Sequence, residues 1–207
     1  MCNLSAITFI GNTYSQGIYL LRIHVATPLT VVFGRFQGGH PIPISPGDYL
    51  YIGSALGQRG ATGLAGRLLR HATRSGSLPP HAIRATLATQ LQEVGILTHN
   101  TIMTPLSKRC FWHIDYLVDQ LAAEITQISA LRTPHRLEAQ LAHRLALDPA
   151  LAPVAPGLGA SDDPRATHLL QVAADAAWWS RLPQLLAQLC AEQRKEPDEH
   201  TTPYSCQ

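Results

Sequence analysis

The run "LAGRLLRHATRSG" spaces Arg67, Arg70, His71 and Arg74 at intervals of 0, 3, 4 and 7 residues. On a helix these positions share one side, and Leu64, Ala65, Leu68, Leu69 and Ala72 share the other. Such a helix buries its leucines and presents a basic stripe suited to phosphate oxygens. A solvated surface stripe is the structural alternative. Just before it, "GIYLLRIHV" and "GDYLYIGSALG" each set a tyrosine two residues from a glycine, at Tyr19 and Tyr51. Either phenol could be an ordinary core residue. Further on, in "TPHRLEAQLAHRLAL", Glu138 stands at the edge of a stripe formed by Leu137, Leu141 and Leu145. A carboxylate there must be paired, bound to a cation, or angled into a cleft.

The elements that would position these residues follow from pattern and turn chemistry. Residues 17–25, 30–37 and 48–53 are rich in Ile, Val, Tyr and Phe and are separated by Pro/Gly turns, which predicts three strands in an antiparallel meander. "SALGQRGATG" predicts a glycine-rich loop leading into the basic helix. Residues 76–110 are weakly patterned, with a partly helical stretch around 81–94. In "CFWHIDYLVDQLAA", Ile114, Leu117, Val118 and Leu121 fit helical spacing. "EITQISALR" predicts a strand. Thr133 as N-cap and Pro134 at the first helical position predict the start of the glutamate helix. After a Pro/Ala/Gly loop, residues 167–195 predict helix, with Trp178 and Trp179 packing onto the domain. The last dozen residues predict a frayed tail.

The 207 residues suit one domain with an appendage, and 45% apolar content indicates a globular chain. Net charge is only +2, so any nucleic-acid footprint must be local. Of 16 cationic residues only Lys108 and Lys195 are lysines, which favours planar, bidentate contacts over point charges. The four cysteines lack metal-site or disulfide spacing. No secretion signal and no apolar run of membrane-spanning length is present, so the expectation is a soluble cytoplasmic protein without membrane contact.

"GIY" at 17–19, "YIG" at 51–53, Arg67, His71 and Glu138 occur in the order that defines the GIY-YIG nuclease superfamily, which the chain resembles over about residues 17–147. "GDYLYIGSALG", "GLAGRLLRH", "WHIDYL" and "GLGASDDPRATHLL" extend the resemblance to residue 171. They match a small prokaryotic branch catalogued as a domain of unknown function and sometimes fused to endonuclease III. The resemblance implies an α+β fold: a central three-stranded antiparallel sheet flanked by helices over 17–171. An N-terminal extension (1–16) and a C-terminal helical extension (172–207) complete the chain. One departure stands out. Relatives of this branch carry cysteines where this chain has "GASDDPRATHL", and Asp162, Asp163 and His168 here suggest a flexible acidic loop.

The resemblance also implies roles. Glu138 would hold one divalent ion, Mg²⁺ or Mn²⁺, with water and phosphate completing its shell. Arg67 would stabilise charge on the non-bridging oxygens. Tyr51 would help activate water, with the ion or Arg67 near enough to offset a phenol pKa near 10. Tyr19 would orient water or phosphate, and His71 would bind phosphate or shuttle a proton. Arg59, Arg70 and Arg74 are the candidate nucleic-acid contacts. His113 and Asp115 are secondary candidates, as partners of the ion or of His71. The implied activity is metal-dependent hydrolysis of DNA, with branched, flapped or damaged forms as substrates and DNA-repair proteins as partners. Nothing in the sequence reads a 2′-hydroxyl, so RNA stays open. The alternative is a nucleic-acid-binding or protein-docking module that keeps the fold without catalysis. Tyr19 is then a strand residue, the glycines serve close backbone approach, and Arg67 makes a structural ion pair.

Overall fold

The computed structural model describes residues 5–58, 60–97, 108–159 and 167–193. Its frame is a mixed sheet in the order β1-β6-β2-β5-β8-β7. The strands are β1 (Ile7–Ile10), β2 (Gly17–Val25), β5 (Gly47–Ala55), β6 (Ala123–Arg132), β7 (Leu151–Pro153) and β8 (Leu169–Val172). β1 runs parallel to β6, and the other pairings are antiparallel. β3 (Leu29–Val31) and β4 (Ile42–Ile44) form a separate two-stranded ribbon.

The sheet is buried on both faces, which explains why β2 is apolar almost without interruption. Tyr19, Leu21, Ile23 and Val25 of β2 face one core layer, with Tyr49 and Tyr51 of β5. That layer is covered by α1 (Leu64–His71), α2 (Arg84–Glu93), α3 (His113–Val118) and the β3–β4 ribbon. Ile18, Leu20, Leu50 and Ile52 face the opposite layer, covered by α4 (Glu138–Ala146), α5 (Ala176–Ser180) and α6 (Leu182–Gln193). Trp178 and Trp179 are buried in this second layer, as expected. Among the described residues no helix is long and apolar enough to cross a membrane.

The sheet has six strands where three were expected. β2 is flanked by β5 and β6, so residues 30–37 find no free edge beside it. They fold instead into the short β3 and a 3-10 turn at Phe36–Gly39. Residues 169–172, expected to be helical, form β8, because the outer edge of β5 offers a full backbone ladder and burial for Leu169 and Leu170. The glutamate helix starts at Glu138, five residues later than Thr133. Thr133 is itself buried, and its N–H continues strand-like pairing to the Gln16 carbonyl (3.0 Å). Its hydroxyl oxygen accepts instead from the His135 N–H (3.2 Å), capping a turn that brings Leu137 into the core. Residues 7–10 lie within the sheet through β1, and α6 packs on β6 and β1.

Candidate active site

The two signature tripeptides meet across one strand pair. Tyr19 lies opposite Gly53 in the β2–β5 ladder. The phenol folds over that glycine so closely that a Cβ on Gly53 would overlap the ring and hydroxyl of Tyr19. On the other flank, a Cβ on Gly17 would collide with the Leu131 carbonyl of β6. The glycines of "GIY" and "YIG" are therefore spaces, one for a neighbouring backbone and one for the tyrosine of the partner strand. The Tyr19 and Tyr51 rings pack side by side with centroids 6.3 Å apart.

Beyond the strand ends opens a cleft of about 290 Å³ lined by Tyr51, Ser54, Arg67, Trp112, Arg136 and Glu138, among others. Arg67 comes from α1 on one face of the sheet and Glu138 from α4 on the other. Ser54 joins them: its carbonyl accepts from the Arg67 guanidinium (3.3 Å) and its hydroxyl donates to Glu138. A second bond from Arg67 Nε to the Ala61 carbonyl (2.7 Å) fixes the guanidinium, which lies 3.5 Å from the centre of the Trp112 ring. Cation–π stacking of this kind holds the charge at the cleft without neutralising it.

Among the described residues Glu138 is the only carboxylate lining the cleft. Burial pushes its carboxyl up, but contacts with His168 and Ser54 and the charge of Arg67 bring it below the usual glutamate value. It is thus ionised at neutral pH. His168 is buried with Nδ1 2.9 Å from Oε1 of Glu138. That nitrogen is otherwise unpartnered and off the line of a hydrogen bond, so the contact is one of proximity rather than a well-formed bond. No group of three or more His, Cys, Asp or Glu side chains among the described residues is placed to hold a metal. The donor set fits a hard cation that takes one carboxylate and fills its shell with water and phosphate, as Mg²⁺ does. It does not fit an ion that needs a cage of protein ligands.

Behind the tyrosines runs a buried polar chain. The Tyr19 hydroxyl is 2.8 Å from His71 Nε2, and His71 Nδ1 is 3.2 Å from Asp115 Oδ1. Asp115 Oδ2 accepts from the backbone N–H groups of Phe111 (3.0 Å) and Trp112 (3.2 Å) and from Arg70 (3.1 Å). Burial lowers the His71 pKa, and the charges of Arg67 and Lys108 add to this against the pull of Asp115. Asp115 is pushed up by burial, but its bonds to His71 and Phe111 and the Lys108 charge carry it far below the usual aspartate value. The chain is therefore a neutral imidazole on an ionised carboxylate. Nδ1 carries the proton toward Asp115, and Nε2 accepts from the Tyr19 O–H.

Both phenols are enclosed. Burial pushes Tyr19 far above its ordinary value despite the Arg67 guanidinium beside it. Tyr51 also rises well above 10, first through burial and then through the neighbouring Tyr19 and Glu138.

The chain matches, over residues 18–190, a family described as a domain of unknown function, DUF123. The chain belongs to that family. No curated protein and no solved structure matches it. The DUF123 match takes in Tyr19, Tyr51, Arg67, His71, Asp115 and Glu138, so the whole cleft and its buried chain lie inside the family region.

The other expected residues are distributed differently. The basic stripe of α1 is only partly open: Arg67 reaches the cleft and Arg70 is half-buried. His71 and Arg74 are buried, because the acidic groups of α3 and β6 cover that side of the helix. Arg74 bonds the carbonyls of Pro79 (2.8 Å) and Ala123 (2.6 Å) and the Glu124 carboxylate (2.9 Å), so it is committed to the fold and not to a phosphate. Arg70 is likewise held by Asp115 and the Arg109 carbonyl. Arg59, Asp162 and Asp163 lie outside the described residues, as does the expected frayed tail. His113 does not line the cleft; its Nδ1 accepts from the Gly159 N–H (3.2 Å) and so fastens the 157–159 turn, which lies against Tyr51. Asp115 is the partner of His71. Ser54, Trp112, Arg136 and His168 were not singled out as site residues from sequence. For Arg136 a signal existed, since it falls two residues before Glu138.

Proposed function

We propose that the chain is a metal-dependent endonuclease of GIY-YIG type that hydrolyses phosphodiester bonds in DNA. The observation that carries this reading is the convergence of Glu138, Arg67 and Tyr51 on one cleft from three separate elements. The resemblance of the tripeptides and the Arg67–His71 helix to that superfamily supports it. An ionised carboxylate facing a fixed guanidinium in a polar cleft suits a phosphate that bridges them through a cation. When bound at Glu138, Mg²⁺ or Mn²⁺ would supply positive charge to the phosphate and make nearby water more acidic. Arg67, already oriented by Ser54, Ala61 and Trp112, turns its remaining N–H groups to the non-bridging oxygens. Arg136, exposed at the mouth, adds a second cation for the backbone.

With both phenol pKa values raised, neither tyrosine is a phenolate at neutral pH. Tyr51 then orients water by hydrogen bonding and does not serve as the base. His71 is the neutral base held behind the cleft: Nε2 would take the Tyr19 proton as Tyr19, which does not itself line the cleft, takes one passed inward from the attacking water. Asp115 steadies the imidazolium at Nδ1. The water oxygen bonds to phosphorus, the bond to the leaving sugar oxygen breaks, and that oxygen is protonated from solvent.

The test is cleavage of labelled duplex, single-stranded, flapped and branched DNA and structured RNA in Mg²⁺ or Mn²⁺. Glu138→Ala and Arg67→Ala are run alongside. Metal-dependent cutting by the parent chain and its loss in both variants is the expected result. Equal weak cutting by all three proteins would attribute the activity to a contaminant. The enclosure of both phenols favours a second reading, a binding module that retains the cleft without chemistry. Salt-sensitive binding with no cutting in any metal would select it.

A further inference from the structure

We propose that Phe111, backed by Trp112, is a stacking platform for an unpaired nucleobase belonging to the strand whose phosphate enters the cleft. The inference rests on the nucleic-acid reading above and narrows the substrate to single-stranded or flapped chains.

Phe111 is 76% exposed, the highest value among the large apolar side chains described. Isolated exposed apolar residues are common, so exposure alone carries little weight. Fixation and position distinguish this one. The Phe111 and Trp112 N–H groups both donate to Oδ2 of the fully buried Asp115, so the backbone that presents the ring is pinned. The Phe111 ring stands edge-on to Trp112, with centroids 5.2 Å apart and planes at 78°. Trp112 lines the cleft and carries Arg67 on its face at 3.5 Å and Arg70 at 5.0 Å. Arg109, two residues before Phe111, is exposed, as is Arg136 at the cleft mouth. A phenyl on a pinned backbone thus projects beside the guanidinium groups of Arg67, Arg109 and Arg136.

That combination matches one nucleotide. The phosphate meets the arginines and the base meets the phenyl, and every base has a π-face to offer. An apolar protein partner would satisfy the ring but leave the arginines facing a surface without anions. Bases inside a duplex are already stacked on their neighbours, so only an unpaired base gains from the ring.

The experiment is fluorescence anisotropy in EDTA with dye-labelled single-stranded oligonucleotides. The proteins are the parent chain, Phe111→Ala, Phe111→Tyr and Arg136→Ala. A second set of oligonucleotides carries one abasic residue at each position in turn. A stacked base contributes a factor of about 5 to 150 in affinity. Phe111→Ala should lose that factor on the intact strand while Phe111→Tyr retains it. One abasic position should cost the parent chain the same factor and cost Phe111→Ala nothing further. Because the ring is exposed, the melting temperature of Phe111→Ala should match the parent.

Unchanged affinity in Phe111→Ala with weakened binding in Arg136→Ala would overturn the platform and leave the nucleic-acid cleft standing. Equal losses on duplex, intact and abasic strands would assign the effect to folding and also overturn it. If the parent chain bound no nucleic acid, the nuclease reading would fall and the platform with it.

Discussion

The volume a Cβ would need at Gly53 is filled by the phenol of Tyr19, and this contact links the two tripeptides more tightly than their separation in sequence suggests. Gly53→Ala must push the ring away or distort β5. The expected cost is about 1–3 kcal/mol, as for other overpacked cores, measured by urea unfolding. Chemistry at the site has its own signature. The His71 pKa lies below its ordinary value of 6.5, so the neutral base persists through neutral pH. The acid limb of the cleavage rate should therefore fall below pH 6.5, and a limb centred above pH 7 would exclude His71 as the base. Asp115→Asn leaves one acceptor oxygen where two are used, so either His71 Nδ1–H or the Phe111, Trp112 and Arg70 donors face an NH2 group, and Arg70 and Lys108 lie beside an uncharged group. Breaking such a buried arrangement typically costs about 3–5 kcal/mol. At this scale the order Tyr19, Tyr51, Arg67, His71, Glu138 was legible, because each residue type carries a recognisable group at a recognisable spacing. Ser54 and His168 were not. A serine and a histidine become partners of Glu138 only once three strand ends and a helix start are brought together.

At the scale of elements, α1 shows how a pattern can be right in period and wrong in environment. Its leucines are buried as the spacing requires, yet much of the basic side is covered too, since Asp115 of α3 takes Arg70 and Glu124 of β6 takes Arg74. No helical periodicity reveals what a distant element will lay against the polar face. β8 was illegible for a similar reason: "LLQV" continues an apolar helical pattern, and only the vacant edge of β5 makes it a strand. β1 is the opposite edge, where Ile7 is buried and Ile128 N–H donates to the Ala6 carbonyl (2.8 Å). Deleting residues 1–10 exposes that edge of β6 and should destabilise the protein by about 3 kcal/mol or more. A thermal melt indistinguishable from that of the full chain would show that β1 contributes nothing.

For the whole molecule, acid is the sensitive axis. His81 is buried between α2, α3 and β6. Its Nε2 lies 2.9 Å from the Val118 carbonyl and its Nδ1 accepts from the Ile125 N–H (3.1 Å), an arrangement that only the neutral ring satisfies. Burial and the Arg74 charge lower its pKa from 6.5 to about 4. His71 shifts in the same direction. Both folded values lie below the unfolded one, so the unfolded chain takes up protons first. Stability is complete above pH 6.5 and declines as pH falls, and the His81 part is exhausted only below about pH 4. That part is on the order of 3 kcal/mol. Urea midpoints should fall between pH 7.5 and pH 5, before most carboxylates titrate.

The pairing of β8 with β5 bears on how the protein is made. Tyr19, Tyr51, Arg67, His71 and Asp115 all emerge from the ribosome before residue 120. The Ile52 N–H, however, waits for the His168 carbonyl (2.9 Å), and Glu138 waits for the His168 ring. A chain stalled or clipped before residue 168 would hold most of the reactive groups but not the histidine that lies beside the Glu138 carboxylate. Newly made copies would thus stay incomplete at the site until residue 168 had left the ribosome.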